Sequence, residues 1–283
     1  MLDLEEIEVG LFRGRQPETK LQRTFGGQVL AQSLMGAYRT VPDDRVLHSL
    51  SAYFLRAGRT DAPIIYDVED TRDGGSFSSR RVRARQYGRT IFHLSSSFHV
   101  LEQGLEHSDP VPSDAAPAED CPRLVEVMQR RFGKTSELWR EWDALDVRLA
   151  GPSDKSRLDE GLDHSAHMRV WVRTTDRLPD DPRLHQAVLA YMSDMTLLSV
   201  ATVPNEVVFL SPQIQSASID HSMWFHRRFR ADEWLLYDQI SPSASEGLGF
   251  SAGRLFQSGS IVASCNQEGL IRVLGNSAKK PPS

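Results

Sequence analysis

Two residues stand out as candidates for chemistry, and they point to different reactions. Asp194 interrupts the run Ala187-Val-Leu-Ala-Tyr-Met-Ser-Asp-Met-Thr-Leu-Leu-Ser-Val200, which is apolar nearly all round and therefore reads as a buried helix. Burying an ionised carboxylate without partners costs several kcal/mol or more. Asp194 is then either tied by a structural hydrogen bond to a neighbouring strand or lines a functional cavity as a carboxylate of perturbed acidity. Ser251 lies in Gly249-Phe-Ser-Ala-Gly253, the G-x-S-x-G pattern of a serine nucleophile. That chemistry needs a strand, a sharp turn and a helix, so that the hydroxyl stands exposed at a strained elbow. Here the chain runs on into Arg254-Leu-Phe-Gln257 and a hairpin turn, and almost nothing remains downstream to supply an Asp and then a His. The nucleophile reading is set aside.

Other polar positions are weaker. Ser218, in Gln215-Ser-Ala-Ser-Ile-Asp-His221, and Gln267, in Val262-Ala-Ser-Cys-Asn-Gln-Glu268, each read as an ordinary strand residue when taken alone. His164 and His167 lie at a strand entry without an obvious set of further metal ligands, and His221 and His226 fall on opposite faces of one strand. Arg81, Arg83 and Arg85 alternate beside Arg80. Such a row is usually a solvated sheet face, although it also suits the phosphates of a nucleotide-bearing ligand. No P-loop or dinucleotide fingerprint is present.

The elements that carry these residues occur twice. At a constant offset of 171 (225 − 54), Phe54, Arg56, Arg59, Asp61, Tyr66 and Asp67 meet Phe225, Arg227, Arg230, Asp232, Tyr237 and Asp238. Upstream the offset is 159 (188 − 29), where Val29-Leu-Ala31 meets the identical Val188-Leu-Ala190. A repeat of this kind predicts one module used twice. Each copy reads as a short strand, a helix and a series of strands joined by tight turns. The helices fall near Gly26–Tyr38, with Thr24 as N-cap, and Arg183–Val200, entered through Pro179-Asp-Asp-Pro182. The strands of the first copy are predicted at Val46–Arg56, Ile64–Thr71, Ser76–Gln86 and Thr90–Val100. Those of the second are predicted at Gln213–His226, Trp234–Ser241, Gly249–Gln257 and Ser260–Val273. Antiparallel strands around one helix per copy make an α+β fold. The division predicted is a first module over 1–105, a linker with a helical segment (Arg123–Phe132, then Ser136–Leu145) over 106–163, and a second module over 164–283.

The 283 residues are 40% hydrophobic and 25% charged, as in a globular protein with a sizeable core. A net charge of −5 gives no basic field for nucleic acid. Two cysteines make no disulfide framework, and the expected compartment is the cytoplasm. No apolar run is read as approaching the roughly 18 residues of a membrane span.

Longer motifs carry a resemblance. Phe25-Gly-Gly-Gln-Val29, Tyr53-Phe-Leu-Arg56, Ala217-Ser-Ile-Asp-His-Ser-Met-Trp-Phe-His-Arg227, Glu233-Trp-Leu-Leu-Tyr237 and Gln267-Glu-Gly269 resemble the TesB-type acyl-CoA thioesterase II family over nearly the whole chain. The resemblance implies a double hot-dog, with two antiparallel sheets each wrapped around a long central helix. It also implies an acyl-CoA substrate, no cofactor, and a homo-oligomer. The implied catalytic trio is Asp194, Ser218 and Gln267, with serine where the family commonly has threonine. In such a trio Asp194 accepts a proton from a water that Ser218 and Gln267 orient. The alternatives are a non-catalytic acyl-CoA-binding module and a hydratase, which would need a histidine paired with the helix aspartate. At the positions equivalent to the trio the first copy has Met35, Leu47 and Ser96, so the chemistry is expected in the second copy only.

Overall fold

The computed structural model describes residues 1–132, 142–151, 166–205 and 213–274. Strands β1 (Glu5–Glu8) and β2 (Leu11–Gly14) lead to helix α1 (Gly26–Tyr38). Strands β3 (Arg45–Phe54), β4 (Ile64–Asp73), β5 (Phe77–Gln86) and β6 (Arg89–Val100) follow. Next come helix α2 (Leu124–Phe132), β7 (Leu145–Gly151), β8 (His167–Thr174) and helix α3 (Pro182–Ser193), which passes into a 3-10 run over Leu197–Asn205. The chain closes with β9 (Ile214–Ser218), β10 (Asp220–Phe225), β11 (Leu235–Ser245), β12 (Leu248–Gln257) and β13 (Ser260–Val273).

Alternation explains the strands. In β5, Ser78, Arg80, Val82, Ala84 and Gln86 are buried while most residues between them face outward. The inward Arg80 is tolerated because Asp70, Asp73 and Thr40 surround its guanidinium at 2.8–2.9 Å. Helix α1 buries Leu30, Ala31, Leu34 and Ala37 completely, and each leucine so buried contributes about 1.5–3 kcal/mol.

The expected pair of sheets is one. The strand order is β1-β2-β4-β5-β6-β3-β10-β13-β12-β11-β8-β7, with β9 added on β13, giving 13 strands. Outward from the central pair, β3-β6-β5-β4-β2 on one side mirrors β10-β13-β12-β11-β8 on the other. The halves join antiparallel, with Ser51 opposite Ser222 and Ser222 Oγ donating to Ser51 Oγ at 3.1 Å. These serines are themselves 171 apart (222 − 51), the repeat offset, so this pair sits where a two-fold relating the halves would pass.

Several expectations shift. β7 falls inside the stretch read as linker and pairs with β8 at the sheet edge. Of the predicted helix Ser136–Leu145, residues 142–144 form a turn and Leu145 begins β7, while 133–141 lie outside the described residues. Thr24 does not cap α1: the N-cap is Phe25, with no side-chain bond, and Thr24 Oγ1 donates to Arg59 O at 3.0 Å. The entry to α3 is as read, with Asp181 accepting from the Arg183 N–H and Pro182 in the first turn. That helix is shorter than predicted, because the backbone tightens to 3-10 geometry after Asp194. Pro182–Asn205 as a whole is long and apolar enough to cross a membrane, contrary to the sequence reading, but two-thirds of its most apolar window (67%) is buried inside the protein. Its apolar surface is committed to the core.

Candidate active site

Helices α1 and α3 pack against each other, with the start of α1 beside the end of α3. This placement defines the site. Asp194 is not inside a helix but at the C-cap of α3, φ −84° and ψ −3°, and its side chain is 3% exposed. It looks across to the first turn of α1, where no side chain caps the helix. The Gly27 N–H donates to the Asp194 carboxylate instead, so an aspartate distant in sequence serves the cap at the positive end of the helix. Only glycine permits so close an approach. A Cβ on Gly26 would lie 2.6 Å from Asp194 Oδ2 and 2.9 Å from Phe54 Cε1.

Two strands of the second half complete the arrangement. Gln267 Nε2 donates to Asp194 Oδ1 at 2.5 Å and to Ser218 Oγ at 2.9 Å, and Ser218 Oγ stands 3.4 Å from Asp194 Oδ1. β9 and β13 pair in register, with Ser218 opposite Gly269, two residues beyond Gln267. All three residues singled out in the sequence are thus brought together. They differ in access. Asp194 and Ser218 line a cavity of about 620 Å³, whose walls also come from the first half through Gly26, Phe54, Arg56 and Ile91. Gln267 is fully buried and does not line it.

Burial pushes the Asp194 carboxyl up to about 7 from an ordinary 3.8, against the opposing pull of Gln267, the Gly27 N–H and Ser218. A base must be ionised to work. The rate at low substrate is therefore expected to rise with pH through about 7 and level off above it. Thiol release followed from pH 5 to 9 checks this; a profile flat across that range would contradict it.

Sequence reasoning missed His221. Its Nδ1 is 3.9 Å from Asp194 Oδ1, while Nε2 meets Ser193 Oγ at 2.9 Å. Burial pushes this imidazole down to about 3, so it is neutral and forms no ion pair with the carboxylate. It does not line the cavity, which leaves the His–Asp pair of a hydratase without access to substrate. No spacing signal in the chain tied His221 to Asp194; only the central position of β10 does so.

None of the remaining candidates among the described residues lines the cavity. Ser251 is fully buried within β12, a straight strand position with no elbow, so the nucleophile reading fails on geometry. Arg83 pairs with Asp67 at 2.7 Å and Arg85 lies 3.9 Å from the same carboxylate, on the outer sheet face away from the cavity. Among the described residues, the cations that do line the cavity are Arg23 and Arg56. His167 is bound to Asp238 at 2.6 Å, and His164 lies outside the described residues.

A sheet of this order laid over short helices has counterparts among solved structures. A hot-dog-fold protein from Alicyclobacillus acidocaldarius superposes with a TM-score of 0.77 at 20% identity, over 96% of both chains, which defines the fold. Family models described as acyl-CoA thioesterase and acyl-CoA thioesterase N-terminal domain match residues 143–270 and 15–99. The chain is 38% identical to acyl-CoA thioesterase 2 of Haemophilus influenzae, over 96% of each. It is 44% identical to the crystal structure of the acyl-CoA thioesterase II TesB2 from Mycobacterium marinum, with a TM-score of 0.79 and 96% of each chain covered. The chain belongs to the TesB-type acyl-CoA thioesterase family.

Proposed function

We propose that this chain, an acyl-CoA hydrolase by family, cleaves its thioester by attack of water, with Asp194 as the general base. The observation that carries the reading is the forked amide of Gln267, whose Nε2 holds both Asp194 and Ser218. A thioester is already a good electrophile with a weakly basic leaving group, so activating the water matters more than protonating the thiol. A water on the cavity side gives its proton to Asp194 while its oxygen bonds to the carbonyl carbon. The C–S bond then breaks, and the departing thiolate takes up the proton. The positive end of α1 beside Asp194 favours the oxyanion formed on the way. Ser218 shares the cavity wall with Asp194 and orients the water; Gln267, which does not reach the cavity, braces both from behind.

Release of free CoA from a panel of acyl-CoA thioesters tests the reading. Ser218→Ala is expected to lower kcat by about tenfold to a hundredfold, the worth of one oriented hydrogen bond or somewhat more. Ser218→Thr keeps the hydroxyl and is expected to retain most of the activity. Gln267→Ala is expected to lower kcat at least as far as Ser218→Ala. Tight acyl-CoA binding with no thiol release by the wild-type protein would instead make it a binding module.

The double hot-dog reading, with modules over 1–105 and 164–283 joined by 106–163, is supported by the mirrored strand order and by the serine pair at the join. Under this reading β7 extends the second module from the linker side. Tyr53 and Trp224, 48% and 39% exposed at equivalent places on the outer face, suit a homo-oligomer. The net charge of −5 and the buried Pro182–Asn205 segment suit work in the cytoplasm.

A further inference from the structure

Behind the trio, the inner face of β11, β12 and β13 carries polar groups that the mechanism does not use. Ser251 is directly opposite Gln267 across β12 and β13. Gln239 on β11 is opposite Gly253, two residues along from Ser251. Residues opposite one another, or two apart on a strand, share a face. Gln239, Ser251 and Gln267 therefore point the same way, and all three are fully buried.

Each of them has one atom without a hydrogen-bond partner among the described residues: Gln239 Nε2, Ser251 Oγ and Gln267 Oε1. Leaving a buried polar atom unsatisfied costs about 1–3 kcal/mol, so three on one face call for a common account. Their chemistry is complementary. The Gln239 amide is already fixed, because its Oε1 accepts from Thr196 Oγ1 at 2.8 Å, which turns Nε2 away as a free donor. Ser251 offers a hydroxyl that both donates and accepts, and Gln267 Oε1 is an acceptor lacking a donor. Three partners are also about the number that one buried water satisfies.

We infer that Ser251 is a positioning residue for hydrolysis: with Gln239 it holds one internal water that donates to Gln267 Oε1 and so fixes the Gln267 amide. This inference rests on the trio reading above. The amide has two orientations of equal shape, and only one presents Nε2 to Asp194 and Ser218. Turned end for end, Oε1 would face the carboxylate while the NH2 group faced the donors on the strand side. Donors behind the amide and acceptors in front of it thus select the working orientation. The serine of the G-x-S-x-G pattern acts on substrate only through Gln267.

The test is a double-mutant cycle on the full chain, measured by thiol release from one acyl-CoA. Ser251→Ala changes almost no volume, and its folding is checked by its urea midpoint. Expected is a fall in kcat of about fivefold to tenfold, the worth of one net hydrogen bond, with KM within about twofold of wild type. In a Gln267→Ala background the same substitution is expected to change kcat by less than about twofold, because the residue it acts through is gone. Gln239→Met, which keeps the volume and removes the amide donor, is expected to behave in the same way. The acid limb of the pH profile is expected to move to higher pH in Ser251→Ala, since a looser Gln267 stabilises ionised Asp194 less well. Of the titratable groups facing Asp194 among the described residues, His221 on β10, Tyr237 on β11 and Cys265 on β13 are all held neutral by burial, and the cavity wall adds the guanidinium groups of Arg23 and Arg56. That leaves Asp194 to set the limb. Wild-type kcat in Ser251→Ala, or an equal loss with and without Gln267, overturns the inference. Wild-type turnover in Gln267→Ala alone instead brings down the trio reading, and with it the role given to Ser251.

Discussion

Replacing Asp194 by asparagine is expected to lower kcat by about 10³-fold, within the range that a positioned general base contributes. Asparagine matches the shape, and its carbonyl oxygen still accepts from Gln267 Nε2, so the fold around the site should persist. What it lacks is the ability to take a proton. The pH-dependent rise through about 7 should vanish along with the activity. Stability should respond too. In the wild type the carboxyl sits near 7 when folded against 3.8 as an ordinary carboxylate, so the folded state keeps the proton over a range in which the unfolded state has lost it. The contribution of this group is then full below about pH 4 and is lost as pH rises to about 7, amounting to at most a few kcal/mol. The Asp194→Asn substitution would remove that slope. Urea midpoints at pH 5 and pH 8 should therefore lie closer together in the variant than in the wild type, while thiol release nearly disappears. Turnover close to wild type would end the general-base mechanism.

Much of this site is legible before any coordinates, for reasons that differ from residue to residue. Asp194 is conspicuous because the chain around it is apolar, and a charge in such a place needs a purpose. The strands are legible because a half-buried sheet forces a period of two, as in Ser78, Arg80, Val82, Ala84 and Gln86 of β5. What stays hidden depends on contacts distant in sequence. The end of α3 at Ser193 carries no glycine or proline, and the change to 3-10 geometry leaves no mark in composition. Thr24 looks like a cap because it is the right residue type in the right place, yet the donor at Gly27 is satisfied from 167 residues away (194 − 27). β7 is missed because Leu145-Asp-Val-Arg-Leu-Ala-Gly151 alternates only briefly beside a stretch read as linker. The single sheet is missed because the β3–β10 seam has no sequence signature beyond the repeat itself. Ser251 shows the opposite failure: a sharp motif in a context that cannot use it as the motif prescribes.

Gly26→Ala sets two opposing effects against each other, and the geometry decides between them. In an ordinary helix position alanine is favoured over glycine by about 0.5–1 kcal/mol, so a gain in stability would be the default expectation. At the start of α1 the added carbon would lie 2.6 Å from Asp194 Oδ2 and 2.9 Å from Phe54 Cε1, well inside contact distance. Neither neighbour yields cheaply. Asp194 is held by Gln267, Ser218 and the Gly27 N–H, and the Phe54 ring packs on Phe92 with centroids 5.1 Å apart. Overpacking of this kind costs about 1–3 kcal/mol, so a net loss of stability of about 1 kcal/mol is expected rather than a gain. The larger effect is on catalysis. Moving the carboxylate away from α1 by a few tenths of an ångström breaks its alignment with Ser218 and with the positive helix end, and kcat is expected to fall by about 10²-fold. Gly36, on the same helix, is the control. A Cβ there finds its nearest neighbours at 3.4 Å or more, so Gly36→Ala should leave turnover unchanged and keep the helix-propensity gain. Equal turnover in the two variants would mean that the approach of α1 to Asp194 does not set the geometry of the reaction.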